Sequence, residues 1–311
     1  MTDVHSLRRA VAAAHGIDNV DFSDPADGVV RANDLDFHYV DWGGRGFPIL
    51  FLHGGGQSCR TWDMVCLQLR DRYRCFALDQ RNHGDSARAG PGGMDFWNQR
   101  EDVAAVIGAL GLERCAVVGM SMGGLNTMAF AATRPAGLDA VAIVDITPTA
   151  QPEGARPIGR FSAPQTFESI EDALEKAVAF NPSRAREHLH YSLLYALRQR
   201  EDGKWVWKHE ALSSRADDSA PADAAASVDG GRGYLERFLP LWDEVGKIAC
   251  PALVVHGGDS KVIRREDAER LAAAIPRGEV VTIPGAGHTV QGDQPVRFAA
   301  ALTEFLGRVM D

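Results

Sequence analysis

Three short stretches of the sequence carry side chains and backbone groups that could act together on a carbonyl group. They are GMSMGG (residues 119–124), GAGHTV (285–290) and LHGGGQS (52–58). The first places Ser121 between Gly119 and Gly123, where the apolar run CAVV ends. A strand that turns sharply into a helix through Gly-x-Ser-x-Gly holds the serine in a strained conformation with its hydroxyl above the sheet. This stretch therefore predicts a nucleophile elbow with Ser121 as the nucleophile.

A glycine-rich turn at the start of a helix can instead bind a dinucleotide or a phosphate. The dinucleotide fingerprint requires Gly-x-Gly-x-x-Gly, and here Met120 and Ser121 fill the place of its second glycine. A phosphate-binding Walker loop would continue with Gly-Lys-Ser or Gly-Lys-Thr, which does not follow. The nucleophile elbow is the favoured interpretation.

A serine hydroxyl is a poor nucleophile unless a base lies within hydrogen-bond reach. Among the ten histidines, His288 is the best candidate because it lies in the glycine-rich loop GAGHTV after the last predicted strand. It is also the last histidine of the chain, which fits the order serine, acid, histidine that follows such an elbow.

The developing oxyanion needs backbone donors that are arranged in advance. The glycines of LHGGGQS follow a predicted strand, and their amides can face the developing charge. We nominate the amides of Gly55 and of Met122, the residue directly after the nucleophile. His53 is expected to hydrogen-bond to this loop. A second loop, DQRNHGDS, is expected to be held by side-chain hydrogen bonds of Asp79, His83 and Asp85.

Strand and helix patterns alternate along most of the chain. The predicted strands are GVVRA, FHYVDW, ILFLH, RCFALD, CAVVGM, AVAIVD, ALVVH and EVVTI. The first two alternate in polarity and indicate an antiparallel edge, whereas the others are continuous apolar runs typical of parallel strands buried on both faces. Helical stretches between them complete a mostly parallel, eight-stranded α/β sheet.

The alternation stops between AVAIVD and ALVVH. Residues 147–235 contain Pro- and Gly-rich sequence and helical patterns such as SIEDALEKAVAF and REHLHYSLLYALRQR. We predict a helical cap here, over the carboxyl ends of the strands, with the core formed by residues 1–146 and 236–311. Four aromatic residues of this segment could line a substrate pocket or hold the cap together: Tyr191, Tyr195, Trp205 and Trp207.

Composition excludes several classes of partner. The chain of 311 residues is 45% hydrophobic and carries a net charge of -9, which disfavours nucleic acid and anionic membrane surfaces. The five cysteines form no metal-ligand spacing, and we expect reduced, mostly buried thiols in a cytoplasmic protein. No apolar stretch is long enough to span a membrane. An N-terminal helix in SLRRAVAAAHG could support a homodimer.

Taken together, GMSMGG, LHGGG, DQRNHGDS and PGAGHTV resemble the α/β-hydrolase fold, specifically its capped serine esterase branch. The resemblance covers about residues 28 to 308 and is more specific for fold than for substrate. It implies a Ser-His-acid triad, an acyl-enzyme intermediate and no cofactor. Dehalogenases and epoxide hydrolases carry an aspartate nucleophile where this chain has Ser121, so the resemblance argues against both.

Two aspartates remain candidates for the triad acid. The resemblance places the usual acid at the fourth position of a Gly-x-x-Asp loop after the seventh strand. Counting from Gly257, that position is Ser260, and Asp259 lies one residue before it. Asp145, at the end of AVAIVD, occupies an earlier position that some relatives use. Both strand ends can approach the same histidine, and Asp145 is slightly favoured.

The sequence thus predicts a serine hydrolase that acts on a small-molecule carboxylic ester. A carbon–carbon bond hydrolase or a lactonase on the same fold is the nearest alternative, because the cap and pocket that would distinguish them cannot be interpreted from sequence. A non-catalytic ligand-binding receptor is a third hypothesis.

Overall fold

The eight predicted strands form one sheet in the computed structural model, which describes residues 3–89, 96–209 and 236–310. These strands are β1 (Ala26–Ala32), β2 (Leu35–Asp41), β3 (Phe47–Leu52), β4 (Tyr73–Leu78), β5 (Cys115–Met120), β6 (Leu138–Val144), β10 (Ala252–Gly257) and β11 (Gly278–Ile283). Their order is β1-β2-β4-β3-β5-β6-β10-β11. The pairs β1/β2 and β2/β4 are antiparallel, and all other neighbours are parallel. The predicted fold class and its antiparallel edge are confirmed.

Helices cover both faces of this sheet. They are α1 (Val4–Ala14), α2 (Asp63–Leu69), α3 (Phe96–Ala109), α4 (Met122–Ala131), α9 (Arg265–Ala274), α10 (Val290–Asp293) and α11 (Pro295–Met310), with the short α8 (Leu241–Glu244) before β10. Residues of α1, α2 and α11 join one apolar cluster, and residues of α3, α4 and α9 join the other. The inner strands are apolar throughout because side chains on both of their faces are buried; every residue of β5 and β10 is buried.

Between β6 and β10 the chain forms α5 (Pro152–Phe161), α6 (Ile170–Phe180) and α7 (Arg186–Ala196). It also forms a small antiparallel sheet in the order β7-β9-β8, from Thr166–Phe167, Trp205–Trp207 and Leu197–Gln199. The predicted cap is therefore not purely helical; strands of two or three residues are too short to produce a detectable alternation. Residues 210–235 of the predicted cap lie outside the described residues, so its boundaries stay a prediction.

The cap has its own apolar cluster and is tied to the core by polar contacts. Phe167, Leu174, Leu193 and Trp207 belong to that cluster. On α7, the hydroxyl of Tyr191 donates to Asp63 Oδ2 of α2 at 2.5 Å. The cap is consequently held at the end of the sheet where β3, β5 and β6 finish.

Helix α1 packs on the core of its own chain through Leu7, Val11 and Ala12. The homodimer suggested by this helix stays a prediction. In the described ranges, none of the helices combines the length and the apolar character required to cross a bilayer.

Candidate active site

Ser121 occupies the sharp turn between β5 and α4. Its backbone has φ 52° and ψ -117°, a conformation that non-glycine residues rarely adopt. The turn is held by the amide of Ser121, which donates to Val144 O at 3.0 Å, and by the amide of Leu125, which donates to Ser121 O at 3.0 Å. The predicted elbow is present.

The two glycines of the motif are required by close backbone approach. A Cβ added to Gly119 would lie 2.1 Å from Gly123 O, and one added to Gly123 would lie 2.3 Å from Leu52 O. Any larger residue would therefore push α4 away from the ends of β3 and β5. Glycine at both positions lets the helix begin directly beneath the serine.

His288 and Asp145 meet at the same edge of the sheet. His288 Nδ1 donates to Asp145 Oδ2 at 2.8 Å, which leaves Nε2 free to accept a proton. His288 and Ser121 line one cavity. Within the described part of the chain no direct hydrogen bond joins them, and such contacts commonly tighten only when substrate binds.

Asp145 is fully buried and receives two further hydrogen bonds. The amide of Gly257 donates to Oδ1 at 2.8 Å, and the hydroxyl of Ser260 donates to Oδ2 at 2.5 Å. Ser260 fills the place where the resemblance expected an acid, and it instead donates to Asp145, the candidate acid after the neighbouring strand. Sequence analysis missed this role, although the count that reached Ser260 pointed to the position.

Asp259, the other candidate acid, does not reach this cluster. Its side chain is exposed, and its backbone amide donates to Ala286 O at 2.8 Å. Of the two candidates, Asp145 alone contacts His288 among the described residues. A one-residue offset along the β10 loop is enough to turn the carboxylate of Asp259 to solvent.

Of the two nominated oxyanion donors, Gly55 lines the cavity, whereas Met122 does not line it and directly follows Ser121, which does. In the glycine loop, the amide of Gly54 donates to Gln57 Oε1 and that of Gly56 donates to His83 Nε2. The described contacts engage Gly54 and Gly56 in this way but not the amide of Gly55. Met122 is the first residue of α4, so its amide has no acceptor within the helix. Gly55 and Met122 thus present amides that a substrate oxygen could use.

Most of the remaining predicted residues hold the two loops, but the carboxylate of Asp85 instead contacts Lys208 Nζ at 2.7 Å. His53 donates from Nδ1 to Gly54 O at 2.8 Å and accepts the amide of Gln80 at Nε2. Burial lowers the pKa of His53 and, further, that of His83, so both rings stay neutral acceptors. Burial would raise the pKa of Asp79, but the hydrogen bond from His38 and other contacts outweigh it and lower the value to about 2.

The cavity in front of Ser121 has a volume of about 170 Å³ and is mostly apolar. Cap residues that line it include Ile158, Phe161, Phe180, Leu193 and Trp207.

Of the four aromatic residues singled out from the sequence, Trp207 lines this cavity, whereas Tyr191 is buried against Asp63 and holds the cap. Tyr195 lies on a separate cavity, and Trp205 pairs within the small sheet.

A polar bridge links the cap to the histidine loop. The guanidinium of Arg184 contacts Asp293 Oδ1 from Nε at 3.1 Å and from Nη2 at 2.5 Å. Asp293 Oδ2 accepts the amide of Gly287, which precedes His288, at 2.9 Å. Arg184 and Asp293 thus connect the predicted cap to the loop that carries His288.

Comparison with known proteins places this arrangement in a family. A family model described as the alpha/beta hydrolase fold matches residues 48–295. The chain is 30% identical over 279 residues to the esterase Rv0045c of Mycobacterium tuberculosis, covering 87% of this chain and 85% of that protein. It is 25% identical to the sn-1-specific diacylglycerol lipase ABHD11 of Mus musculus, covering 89% and 86% of the two chains. The crystal structure of Rv0045c aligns with a TM-score of 0.76 and 27% identity over 98% of each chain.

Proposed function

Because this chain belongs to the α/β-hydrolase family, we propose that it is a serine esterase that hydrolyses a carboxylic ester of modest size through an acyl-enzyme intermediate. The observation that carries the proposal is the hydrogen bond from His288 to the fully buried Asp145, beside a cavity that Ser121 also lines. The names of the relatives, an esterase and a lipase, favour an ester over other acyl compounds.

In the proposed reaction, Ser121 Oγ attacks the ester carbonyl while His288 Nε2 takes its proton. Asp145 accepts a hydrogen bond from the Nδ1–H of His288, which fixes the tautomer and stabilises the imidazolium that forms. The amides of Gly55 and Met122 donate to the oxyanion. His288 then gives its proton to the leaving alcohol, and the acyl group remains on Ser121.

Water completes the cycle. His288 removes a proton from a water molecule, the resulting hydroxide attacks the acyl carbonyl, and the carboxylic acid departs as Ser121 recovers its proton. The apolar lining of the cavity suits an alkyl or aryl group of the substrate, and its volume of about 170 Å³ favours a short one. The sequence also left open a carbon–carbon bond hydrolase, a lactonase and a receptor, and nothing observed in the cavity specifically favours any of them.

The test is the steady-state hydrolysis of p-nitrophenyl esters of increasing acyl length by the wild-type chain and by Ser121→Ala. We expect wild-type turnover and covalent labelling by a fluorophosphonate, both lost in Ser121→Ala. Full hydrolysis by Ser121→Ala would refute the proposed nucleophile. Tight ligand binding by the wild type without turnover or labelling would favour a receptor, and parallel incubation with a diketone and a lactone would reveal the two alternative reactions.

A further inference from the structure

A second cavity, lined by neither Ser121 nor His288, has no part in the proposed ester hydrolysis. Its volume is about 440 Å³, and its wall contains His38, Cys59 and Asp79. His38 lies on β2, Cys59 follows the glycine loop, and Asp79 follows β4. Within the described ranges, these three side chains are the one group of histidine, cysteine and carboxylate atoms close enough together to share an ion.

The imidazole of His38 is bracketed by two carboxylates. Its Nδ1 lies 2.8 Å from Asp79 Oδ2, and its Nε2 lies 3.1 Å from Asp27 Oδ1. A neutral imidazole has one N–H, so it can satisfy only one of these acceptors. Burial would lower the pKa of His38, but Asp79 and Asp27 outweigh it and raise the pKa, so an imidazolium satisfies both carboxylates when no metal is bound. A neutral ring that donates to one carboxylate has a nitrogen lone pair available to a cation.

Asp27 provides the support that metal-bound histidines usually have. A histidine that ligates a metal commonly donates its other N–H to a carboxylate, which fixes the tautomer. If Nε2–H donates to Asp27, Nδ1 becomes a lone-pair donor that points toward Cys59 and Asp79.

Cys59 supplies a soft ligand atom. Its Sγ lies 4.0 Å from His38 Nδ1, and the residue is 1% exposed. Burial and the nearby Asp79 raise the pKa of the Cys59 thiol, so the thiol is protonated in the absence of metal and a metal ion would displace its proton. One nitrogen, one sulfur and one oxygen ligand form a set typical of Zn²⁺ and of Co²⁺ in its place.

The two separations that involve His38 need only small adjustments. Tetrahedral Zn²⁺ with ordinary bond lengths separates its nitrogen and oxygen ligands by roughly 3.3 Å and its nitrogen and sulfur ligands by roughly 3.6 Å. The observed separations are 2.8 Å and 4.0 Å. A movement of the His38 ring by roughly half an ångström, away from Asp79 and toward Cys59, would satisfy both.

Asp79 can accept a metal without releasing the loops that it holds. Its Oδ1 accepts the amide of Cys59 at 2.6 Å, and its Oδ2 accepts the amide of Asp85 at 3.0 Å. A carboxylate oxygen accepts more than one bond, so Oδ2 could exchange the His38 proton for a metal ion while it keeps the Asp85 amide. The cavity gives an ion access from solvent and leaves room for a water as a fourth ligand.

We propose that His38, Cys59 and Asp79 form a binding site for a divalent transition metal ion of the zinc class, with Asp27 as the carboxylate that orients His38. The site is separate from Ser121, His288 and Asp145, although Ser58 and Arg60 line both cavities. Binding releases the proton of Cys59 and, when His38 is an imidazolium, one proton from its ring.

The test is a titration of the metal-free full-length protein with Co²⁺, followed by near-ultraviolet absorption, and then displacement by Zn²⁺. We expect one Co²⁺ per chain and a thiolate-to-cobalt charge-transfer band, which Zn²⁺ abolishes. The band should be lost in Cys59→Ser and in His38→Gln, and kept in Cys115→Ser, which alters a buried cysteine in the other apolar cluster. Asp27→Asn should keep the band but weaken binding about 10- to 100-fold.

Absence of a thiolate band in the wild type would overturn the proposal, as would its persistence in Cys59→Ser or its loss in Cys115→Ser. A cobalt ion held by His288 in the candidate active site could not produce this band, because none of the residues lining that cavity is a cysteine. Circular dichroism of each variant checks that the fold is retained. Since the readout is binding, it does not depend on whether the chain hydrolyses esters.

Discussion

The sharpest prediction concerns Asp145→Asn, compared with Asp259→Asn. In the wild type, both oxygens of Asp145 accept hydrogen bonds: Oδ1 from the amide of Gly257, and Oδ2 from Ser260 and His288. An asparagine keeps one acceptor oxygen, which the buried Gly257 amide requires. Its NH₂ group must then face Ser260 and His288.

That change would reverse the tautomer of His288. An NH₂ group donates, so His288 Nδ1 would become the acceptor, and the single proton of the neutral ring would move to Nε2. Nε2 could then no longer take the proton of Ser121. Substitution of a triad aspartate by asparagine costs about 10⁴-fold in kcat, which corresponds to about 5.4 kcal/mol of transition-state stabilisation.

The assay is kcat/KM on one activated ester across pH 6 to 9, for the wild type and both variants. We expect Asp145→Asn to lose about 10⁴-fold and Asp259→Asn to stay within about twofold, because the Asp259 carboxylate is exposed and makes no described contact with His288. Thermal denaturation checks that both variants fold. A loss of less than tenfold in a folded Asp145→Asn, or an equal loss in Asp259→Asn, would refute the assignment of the acid.

Substitutions of Ser260, Gly123 and Asp63 test other parts of the structure. Ser260→Ala removes one charge-assisted hydrogen bond to Asp145, so kcat should fall by about tenfold with KM unchanged. A kcat within experimental error of the wild-type value would instead show that the Gly257 amide alone positions Asp145. Gly123→Ala places a Cβ 2.3 Å from Leu52 O and should destabilise the fold by about 1–3 kcal/mol. Gly108→Ala, in α3 with open space around it, should stabilise the fold slightly. Chemical denaturation measures both unfolding free energies, and equal effects would contradict the packing argument. Burial, opposed by Arg60 and Tyr191, raises the pKa of Asp63 from 3.8 to about 6. The folded state therefore holds this proton more tightly than the unfolded state, and about 3 kcal/mol of stability present below pH 3.8 is lost as the pH rises through 6. Asp63→Asn should remove this part of the fall in unfolding free energy with rising pH. If the unfolding free energies of the wild type and of Asp63→Asn change in parallel between pH 4 and 6, this prediction is wrong.

Features of local origin could be predicted from sequence. The strands β3, β5 and β10 are continuous apolar runs because both of their faces are buried, and that pattern is visible in the chain itself. The elbow is equally local, since Gly119, Ser121 and Gly123 are spaced to meet the backbone around them. The loop position of His288 followed from its glycines and from its place after the last strand.

Features that join distant parts of the chain required the tertiary structure. The sequence proposed both Asp145 and Asp259 because both follow adjacent parallel strands, and the direction in which each carboxylate points depends on the path of the β10 loop. The contact between Ser260 and Asp145 joins residues 115 positions apart, and the bridge from Arg184 through Asp293 to Gly287 depends on how the cap seats on the core. The short strands of the cap were not predicted either. They are stabilised by packing around Phe167 and Trp207, and they are too short to show a repeated pattern in the sequence.

The cluster of His38, Cys59 and Asp79 is another feature that joins distant parts of the chain. No spacing in the sequence suggests a metal site, since one residue lies on β2, one follows the glycine loop and one follows β4. Sequence by itself determined the order of strands and helices along the chain, the sharp turn at Ser121 and the loop position of His288, because these depend on neighbouring residues and on which faces are buried. Only the tertiary structure decided which acid meets His288 and which side chains share a cavity, because those contacts depend on the relative positions of elements that are far apart in the chain.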